Sequence, residues 1–236
     1  MKIFLDTADV TSILERFETG LIDGVTTNPS LIRKSGRDPE DVYRELAHNG
    51  IPDISMEVVE DMIGEGRRLS KEFPYVCTIK VPCTPEGLKA CKVLSDDGVR
   101  VNVTLIFNAA QAILASKAGA TYVSPFIGRL DDNSVAGLEV VRSIAEVYKV
   151  QNVSTQILAA SIRDAYKVTR AFWNGAHVVT MPPKILGNMY KHVLTDAGLD
   201  KFDEDWAEVQ HLIAAKSAFD PPEYAKVRPG GDLDAF

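Results

Sequence analysis

The sequence contains no long hydrophobic run and no excess of basic residues. No apolar segment is long enough to cross a bilayer, and the start MKIFLDTADV lacks the basic region and long apolar stretch of a secretory signal. Its 26 basic and 33 acidic residues give a formal charge of -7, which argues against a general role in binding nucleic acid or anionic membranes. We therefore expect a soluble cytoplasmic protein with neither nucleic-acid nor membrane partners.

Cysteine is also scarce. Cys77, Cys83 and Cys91 match neither a zinc ribbon nor a redox CxxC pair, and their odd number argues against a disulfide framework. We interpret them as reduced thiols. A catalytic thiol at Cys83, three residues beyond Lys80, stays open as an alternative.

Strand-like and helix-like segments alternate along the chain, and no GxGxxG motif follows the first strand. Eight repeated βα units in 236 residues predict an α/β fold, a single (β/α)8 TIM barrel, rather than an open doubly wound sheet. The strand candidates are KIFLD, DGVTT, DISMEVV, YVCTIKV, VRVNVTLIF, TYVSPFI, VSTQIL and AHVVTM. The helix candidates cover residues 9–19, 38–49, 60–73, 84–96, 108–118, 134–149, 161–173 and 183–194.

Two helix starts carry local signals. Thr84-Pro85-Glu86 offers a hydroxyl cap followed by proline, and Ser161 with Asp164 resembles a capping box. A polar helix is predicted near residues 203–217, before the tail PPEYAKVRPGGDLDAF, which could fray or dock on a neighbouring subunit. We expect one domain over residues 1–236, with a C-terminal helix and tail from about residue 200.

Lys80 lies inside the apolar strand candidate YVCTIKV. Because a buried ammonium is costly to desolvate, this placement favours a neutral, nucleophilic amine that could form a Schiff base with a carbonyl. A lysine at a strand end can instead extend its ammonium to water or pair with a carboxylate.

Polar residues recur at the ends of several strand candidates, where a barrel carries its catalytic groups. The two-residue period of a strand puts a lysine, two carboxylates, an amide and hydroxyls on faces that could share one cavity. The residues that share a face within one strand are Phe4 and Asp6, Ser55 and Glu57, Thr78 and Lys80, Asn102 and Thr104, and Tyr122, Ser124 and Phe126.

Several of these residues have simpler structural interpretations. Asp6 could cap a helix, and Asn28 before Pro29 is typical of a turn. Glu57 interrupts an apolar run and needs a partner if it is buried. Arg129 and Arg163 together could hold a phosphate near late strand ends, or could instead pair with Asp131, Asp132 or Asp164.

The segments LDTAD, GVTTNPS, SMEV, IKVPCTPEGL, VNVTLIFNAAQA, YVSPFIGRLDD and ILAASIRD together resemble the transaldolase family in order and spacing. Over roughly residues 1–210 the sequence is most similar to the short-chain branch that includes the fructose-6-phosphate aldolases. The resemblance implies transfer of dihydroxyacetone from sedoheptulose 7-phosphate or fructose 6-phosphate to an aldose phosphate in the pentose phosphate pathway. It implies no metal or other cofactor, and a homo-oligomer, either a decamer or a pentamer.

The resemblance also assigns roles to residues. Lys80 would form the Schiff base, Asp6 would be the acid/base for carbon–carbon cleavage, and Glu57 would act through a water held by Thr104. The remaining positions would bind the sugar phosphate substrate: Thr26, Asn28, Asn102, Ser124, Phe126, Arg129, Ser161 and Arg163.

Two positions distinguish the branches, because fructose-6-phosphate aldolases differ from transaldolases by glutamine in place of glutamate and tyrosine in place of phenylalanine. This sequence has Glu57 and Phe126. A phenylalanine cannot donate a proton that would release the enamine, so the resemblance favours transfer over release of free dihydroxyacetone. The alternatives are a fructose-6-phosphate aldolase, another Schiff-base aldolase such as one acting on deoxyribose phosphate, and a non-catalytic sugar-phosphate-binding barrel.

Overall fold

A computed structural model describes residues 1–217 of the chain. A barrel unit spans Met1–Met189, and a second compact unit begins at Tyr190. Eight parallel strands pair in sequence order, and the first also pairs with the last, which closes the barrel. The strands are β1 (Lys2–Asp6), β2 (Gly24–Thr26), β3 (Ile54–Glu57), β4 (Cys77–Pro82), β5 (Val101–Ile106), β6 (Tyr122–Pro125), β7 (Gln156–Ala159) and β8 (Val178–Met181).

Helices follow every strand, as the parallel connections require. Two of the βα units contain a second helix: one extra short helix follows β2, and another directly follows β6. The helices are α1 (Val10–Phe17), α2 (Pro29–Ser35), α3 (Pro39–His48), α4 (Met62–Glu72), α5 (Pro85–Asp96), α6 (Ala109–Lys117), α7 (Ile127–Asp132), α8 (Gly137–Val150), α9 (Ala165–Trp173), α10 (Pro183–Met189) and α11 (Val193–Ser217).

The apolar residues form two clusters. The larger one lies between the outward strand faces and the surrounding helices, with Leu5, Ile79 and Val103 fully buried. The smaller one fills the barrel interior and includes Phe4 and Tyr122, whose rings meet edge to face at 6.2 Å. Phe4 shares its strand face with Asp6, so this apolar layer supports the polar residues one layer above it.

A buried aspartate closes the opposite, N-terminal end of the barrel. Asp53 accepts hydrogen bonds from Thr78 Oγ1 at 2.7 Å, Tyr122 OH at 2.9 Å and Arg100 Nη1 at 2.9 Å. Burial raises the pKa of Asp53, while Arg100 acts in the opposite direction. These hydrogen bonds offset the cost of burying the carboxylate, so we assign this end of the barrel a role in stability.

The eight predicted strands and the closed barrel are confirmed. The predicted hydroxyl cap at Thr84 is confirmed as well, since its Oγ1 accepts the backbone N–H of Gly87 at 3.0 Å. Two short helices, α2 and α7, were not predicted. Asn28 was expected in a turn, but it caps α2, and Pro29 takes the first helical position where its missing N–H costs nothing.

Three predicted helix boundaries are wrong. The capping box at Ser161 is absent because Asp164 caps α9 instead, accepting the N–H of Lys167 at 2.8 Å. The helix predicted over residues 183–194 ends at Met189, and α11 begins at Val193, ten residues before the predicted helix near 203. His192 explains that start, because its Nδ1 accepts the N–H of Leu194 at 3.2 Å.

The predicted fraying or docking of the tail over residues 221–236 lies outside the described residues. None of the helices within residues 1–217 combines the length and apolar character that a membrane span needs.

Candidate active site

A small cavity of about 100 Å³ opens at the C-terminal ends of the strands, where barrel enzymes carry their catalytic groups. Almost all of the predicted site residues line it, although they come from six separate segments of the sequence. The lining residues are Asp6, Thr26, Asn28, Lys80, Asn102, Thr104, Ser124, Phe126, Arg129, Leu158, Ala160, Ser161 and Thr180.

Lys80 is only 5% exposed and points into this cavity. Its Nζ donates to Glu57 Oε2 at 2.6 Å and to the carbonyl oxygen of Thr27 at 2.9 Å. Lys80 and Glu57 are direct partners on β4 and β3, so parallel pairing itself brings the two side chains together. The carboxylate can take a proton from the ammonium and leave an amine whose lone pair is free to attack a carbonyl.

Glu57 does not line the cavity itself. It lies on the wall of an adjoining groove of about 930 Å³, between α2, α3 and the start of α4. The Lys80–Glu57 contact therefore connects the two spaces. A carboxylate in this position can exchange protons with water in the groove while it contacts the buried amine.

Asp6 ends β1 and lines the cavity. The helix-capping alternative for Asp6 is wrong, because Asp9 caps α1 and accepts the N–H of Ser12 at 3.3 Å. Burial raises the pKa of Asp6 above its ordinary value, and a hydrogen bond from Thr26 and the charge of Lys80 act in the opposite direction. An aspartate with a raised pKa suits reversible proton transfer with a sugar hydroxyl.

Thr26 and Thr180 hold Asp6 in place. Thr26 Oγ1 donates to Asp6 Oδ1 at 2.8 Å, and the two threonine hydroxyls lie 2.7 Å apart. Thr180 was not predicted from the sequence. The signal was available, since Thr180 shares its strand face with Val178 and is the residue before the end of the last strand.

A hydrogen-bonded row crosses the cavity floor. Ser124 Oγ donates to Asn102 Oδ1 at 2.7 Å, and Asn102 Nδ2 donates to Ser55 Oγ at 3.3 Å. All three residues are buried. The row fixes the Asn102 amide, and it leaves acceptor and donor capacity for the hydroxyls of a ligand.

Thr104 has the only side-chain polar atom that is buried and without a hydrogen-bond partner among the described residues. The strand is irregular here: register is lost between Val103 and Ile106, and Leu105 has the left-handed φ of 58°. Thr104 and Leu105 therefore stand opposite a single residue of β6, which is a bulge. A buried hydroxyl without a partner beside a cavity is a place for a ligand or a water molecule.

Phe126 is the aromatic residue in the cavity wall. The Phe126 ring contacts Phe107 edge to face with centroids 6.0 Å apart, and the Arg129 guanidinium lies 4.8 Å from the Phe126 centroid. The Arg129 guanidinium makes no hydrogen bond or ion pair within the described residues, so its donors are free for an anion. Asn28 Oδ1 accepts the N–H of Leu31 at 3.0 Å, and its amide nitrogen is free to donate to a ligand.

Arg163 is the one predicted residue that neither lines the cavity nor touches another predicted site residue through a hydrogen bond or ion pair. Its Nη1 donates to Asp132 Oδ1 at 2.6 Å, and its Nη2 pairs with the second carboxylate oxygen. Of the three aspartates that the sequence allowed as partners, Asp132 is the one found. Ser161 lines the cavity and has the left-handed φ of 59°.

The remaining lining residues, Leu158 and Ala160, were not predicted; they belong to the inward face of β7 and its extension. Cys83 is not among the lining residues. Burial raises the pKa of its thiol, which disfavours the reactive thiolate. All three cysteines are free.

Comparison with known proteins gives a consistent result. The family model described as Transaldolase/Fructose-6-phosphate aldolase matches residues 3–217. A "Probable transaldolase" of Paracoccus denitrificans is 54% identical over 217 residues, which cover 90% of this chain and 100% of the relative. A "Probable transaldolase" of Cereibacter sphaeroides is 51% identical, covering 90% and 99%. A "Probable transaldolase 1" of Bacillus cereus is 48% identical, covering 89% and 99%.

Proposed function

The chain belongs to the transaldolase/fructose-6-phosphate aldolase family and is a transaldolase, and we propose that it transfers a dihydroxyacetone unit between sugar phosphates through a Schiff base on Lys80. The donor would be sedoheptulose 7-phosphate or fructose 6-phosphate, and the acceptor an aldose phosphate. The observation that carries this proposal is the buried Lys80, which lines the same cavity as Asp6 and donates a hydrogen bond to Glu57 at 2.6 Å.

In the first step the neutral amine of Lys80 attacks the C2 carbonyl of the ketose phosphate. Glu57 takes the ammonium proton, and a proton delivered to the carbinolamine oxygen lets water leave, which forms the iminium. The unsatisfied hydroxyl of Thr104 would hold that water at the cavity wall. Glu57 contacts both Lys80 and the adjoining groove, which supports its role as the group that exchanges protons with solvent.

In the second step Asp6 removes the proton of the C4 hydroxyl. The C3–C4 bond breaks, its electrons move onto the iminium nitrogen, and an aldose phosphate leaves while a three-carbon enamine stays on Lys80. The enamine carbon then attacks the aldehyde of the acceptor, and Asp6 returns the proton to the new alkoxide. Hydrolysis of the iminium by water frees the product and restores the amine.

Two sets of residues would hold the substrate. Asn28, Asn102 and Ser124 would bind the hydroxyls of the dihydroxyacetone part, because they offer amide and hydroxyl groups on the cavity wall. Arg129, Ser161 and Arg163 would hold the phosphate. Arg129 and Ser161 line the cavity, and the Arg163 side chain lies near Ser161.

The test is trapping of the adduct. Borohydride reduction in the presence of fructose 6-phosphate should add the mass of one reduced ketose-derived adduct to the native enzyme, located on the peptide that carries Lys80. Lys80→Met should form no adduct and lose transfer activity. Lys92→Met is the matched control, since Lys92 is exposed on α5 and, within residues 1–217, pairs only with Asp96. An adduct that persists in Lys80→Met, or that maps to another lysine, would refute the proposed mechanism.

Location and assembly belong to the same proposal. Three free thiols are typical of a reducing compartment, which supports a cytoplasmic enzyme. Exposed apolar side chains on α11, including Phe202, Trp206 and Val209, support a homo-oligomer. By family resemblance we expect a decamer or a pentamer.

A further inference from the structure

Arg163 lies along the short helix α7 rather than over the cavity. Its Nη1 contacts Asp132 Oδ1, and its Nη2 contacts Asp132 Oδ2. This is the bidentate arrangement in which arginine pairs with carboxylates and with phosphates. The two side chains are 52% and 48% exposed. The Asp132 carboxylate therefore engages the same guanidinium N–H groups of Arg163 that a substrate phosphate would use.

Gly128 makes this path possible. A Cβ built on Gly128 would lie 2.7 Å from Arg163 Nε, 2.9 Å from Ser161 Oγ and 2.3 Å from the carbonyl oxygen of Ser161. All three atoms thus converge on the space that a side chain would fill. The Arg163 side chain crosses α7 at Gly128, which has no side chain, and reaches Asp132 one helical turn further along the helix.

The neighbouring carboxylate, that of Asp131, has other partners. Asp131 accepts the N–H of Gly137 at 3.0 Å and pairs with Lys167, so it holds the start of α8 and part of α9. Asp132 has no partner other than Arg163 among the described residues. Release of Asp132 would leave a half-exposed carboxylate in water, which costs little.

We infer that Asp132 is an internal competitor of the substrate phosphate: it holds Arg163 in the empty enzyme and gives it up when a phosphate binds beside Ser161. The inference rests on the proposed function, because it presumes that Arg129, Ser161 and Arg163 receive the phosphate. Asp132 is a positioning residue, since it acts only through Arg163. Its charge would also set the apparent affinity for phosphorylated sugars without affecting the Schiff-base chemistry.

The first measurement is calorimetric titration of the full-length enzyme with inorganic phosphate at low salt. Asp132→Asn should bind phosphate about two- to fivefold more tightly than the native enzyme, as expected when an exposed ion pair no longer competes. Asp97→Asn is the matched control, because Asp97, the C-terminal cap of α5, forms an exposed pair at 2.7 Å with Arg67 on α4. Its affinity for phosphate should be that of the native enzyme. Unchanged or weaker binding by Asp132→Asn, or no binding by either enzyme, would overturn the inference.

A double-mutant cycle separates competition for Arg163 from the general effect of removing a negative charge. In an Arg163→Gln background, Asp132→Asn should leave the phosphate Kd nearly unchanged, because no guanidinium remains for Asp132 to hold. If the two- to fivefold gain persists in that background, Asp132 acts by simple repulsion and the inference is wrong. Thermal denaturation of each variant checks that the fold is retained.

Steady-state kinetics connect the binding to catalysis. Asp132→Asn should lower KM for erythrose 4-phosphate by a similar factor and leave KM for unphosphorylated D-glyceraldehyde and kcat unchanged. Equal changes for both acceptors would contradict the inference. Failure of the proposed function would be recognised separately, as an absence of the Lys80 adduct in borohydride trapping.

Discussion

One hydroxyl acts on the pKa of Asp6, the residue that we propose as the acid/base of the reaction. Burial raises the pKa of its carboxyl, and the Thr26 hydrogen bond at 2.8 Å opposes that effect by stabilising the charged form. Asp6 must be ionised to remove a proton from the C4 hydroxyl. The rate of cleavage should therefore rise with pH through the pKa of Asp6.

We predict that Thr26→Val moves the acid limb of the kcat/KM profile to higher pH. The substitution keeps the volume and removes the donor, so the charged form loses a hydrogen bond and the pKa of Asp6 rises further. The measurement is kcat/KM for fructose 6-phosphate against pH. Asp6→Asn serves as the reference. It should lower kcat/KM by about 10²- to 10⁴-fold, and its profile should lack the acid limb that comes from Asp6. A limb in Thr26→Val that stays in place or moves to lower pH would contradict the role of this hydrogen bond.

Phe126 offers a second test at the residue scale. Its ring lines the cavity between Phe107 and Arg129 and carries no donor. We predict that Phe126→Tyr raises release of free dihydroxyacetone relative to transfer, because a phenolic hydroxyl can protonate the enamine. The ratio is measured with fructose 6-phosphate in the presence and absence of an acceptor. Phe107→Tyr is the control, since that ring does not line the cavity. Equal ratios in the native enzyme and Phe126→Tyr would show that this position does not control partitioning.

At the scale of elements, the strands were the most predictable part of the fold. Two-residue alternation fixes which side chains of a strand share a face, so the sequence alone was enough to expect Asp6, Lys80 and Asn102 on the inner surface. The short helices were less predictable. Helix α7 has six residues and directly follows β6, so it offers too few turns for a periodic pattern.

The position of Arg163 could not be predicted for the same reason. Its choice of Asp132 over Asp131 depends on the path of α7 and on the open space at Gly128, which are tertiary features. Ser161 illustrates a local error of the same kind. A Ser-x-x-Asp pattern favoured a helix start at Ser161, but the aspartate is itself a good cap and begins α9 four residues later.

The bulge in β5 leads to a prediction about an element. Leu105 holds a left-handed φ of 58°, which β-branched residues tolerate poorly and glycine adopts at no steric cost. We predict that Leu105→Val destabilises the protein by about 1–3 kcal/mol and lowers kcat, because the bulge that directs Thr104 into the cavity is strained further. Urea denaturation and kcat are the measurements.

Leu105→Gly is the comparison variant, because it removes the whole side chain, and so more packing than valine does, while it relieves the backbone. It should retain more stability and more activity than Leu105→Val. If glycine costs as much as valine or more, the half-buried leucine side chain matters for its packing, and the backbone conformation is not the cause.

At the scale of the whole molecule, the chain contains a unit whose surface is unlike that of the barrel. Helix α11 has 25 residues, and its apolar side chains recur at alternating spacings of three and four: Leu199, Phe202, Trp206, Val209 and Ile213. This spacing places them on one face, and all of them are exposed. A contiguous exposed apolar stripe of this kind is typical of an interface between subunits.

We predict that Trp206→Glu reduces the mass of the native oligomer in light scattering, since a charge on the apolar stripe must be desolvated when copies associate. Ala215→Glu is the matched control: it adds the same residue to the opposite face of α11 and should leave the mass unchanged. The lining residues of the cavity all lie before Met189, so borohydride trapping on Lys80 should persist in both variants. A monomeric native protein, or a Trp206→Glu variant of undiminished mass, would show that the stripe is not the interface. Loss of mass with retained trapping would instead mean that each barrel carries a complete Schiff-base site, and that assembly serves the stability of the enzyme rather than its chemistry.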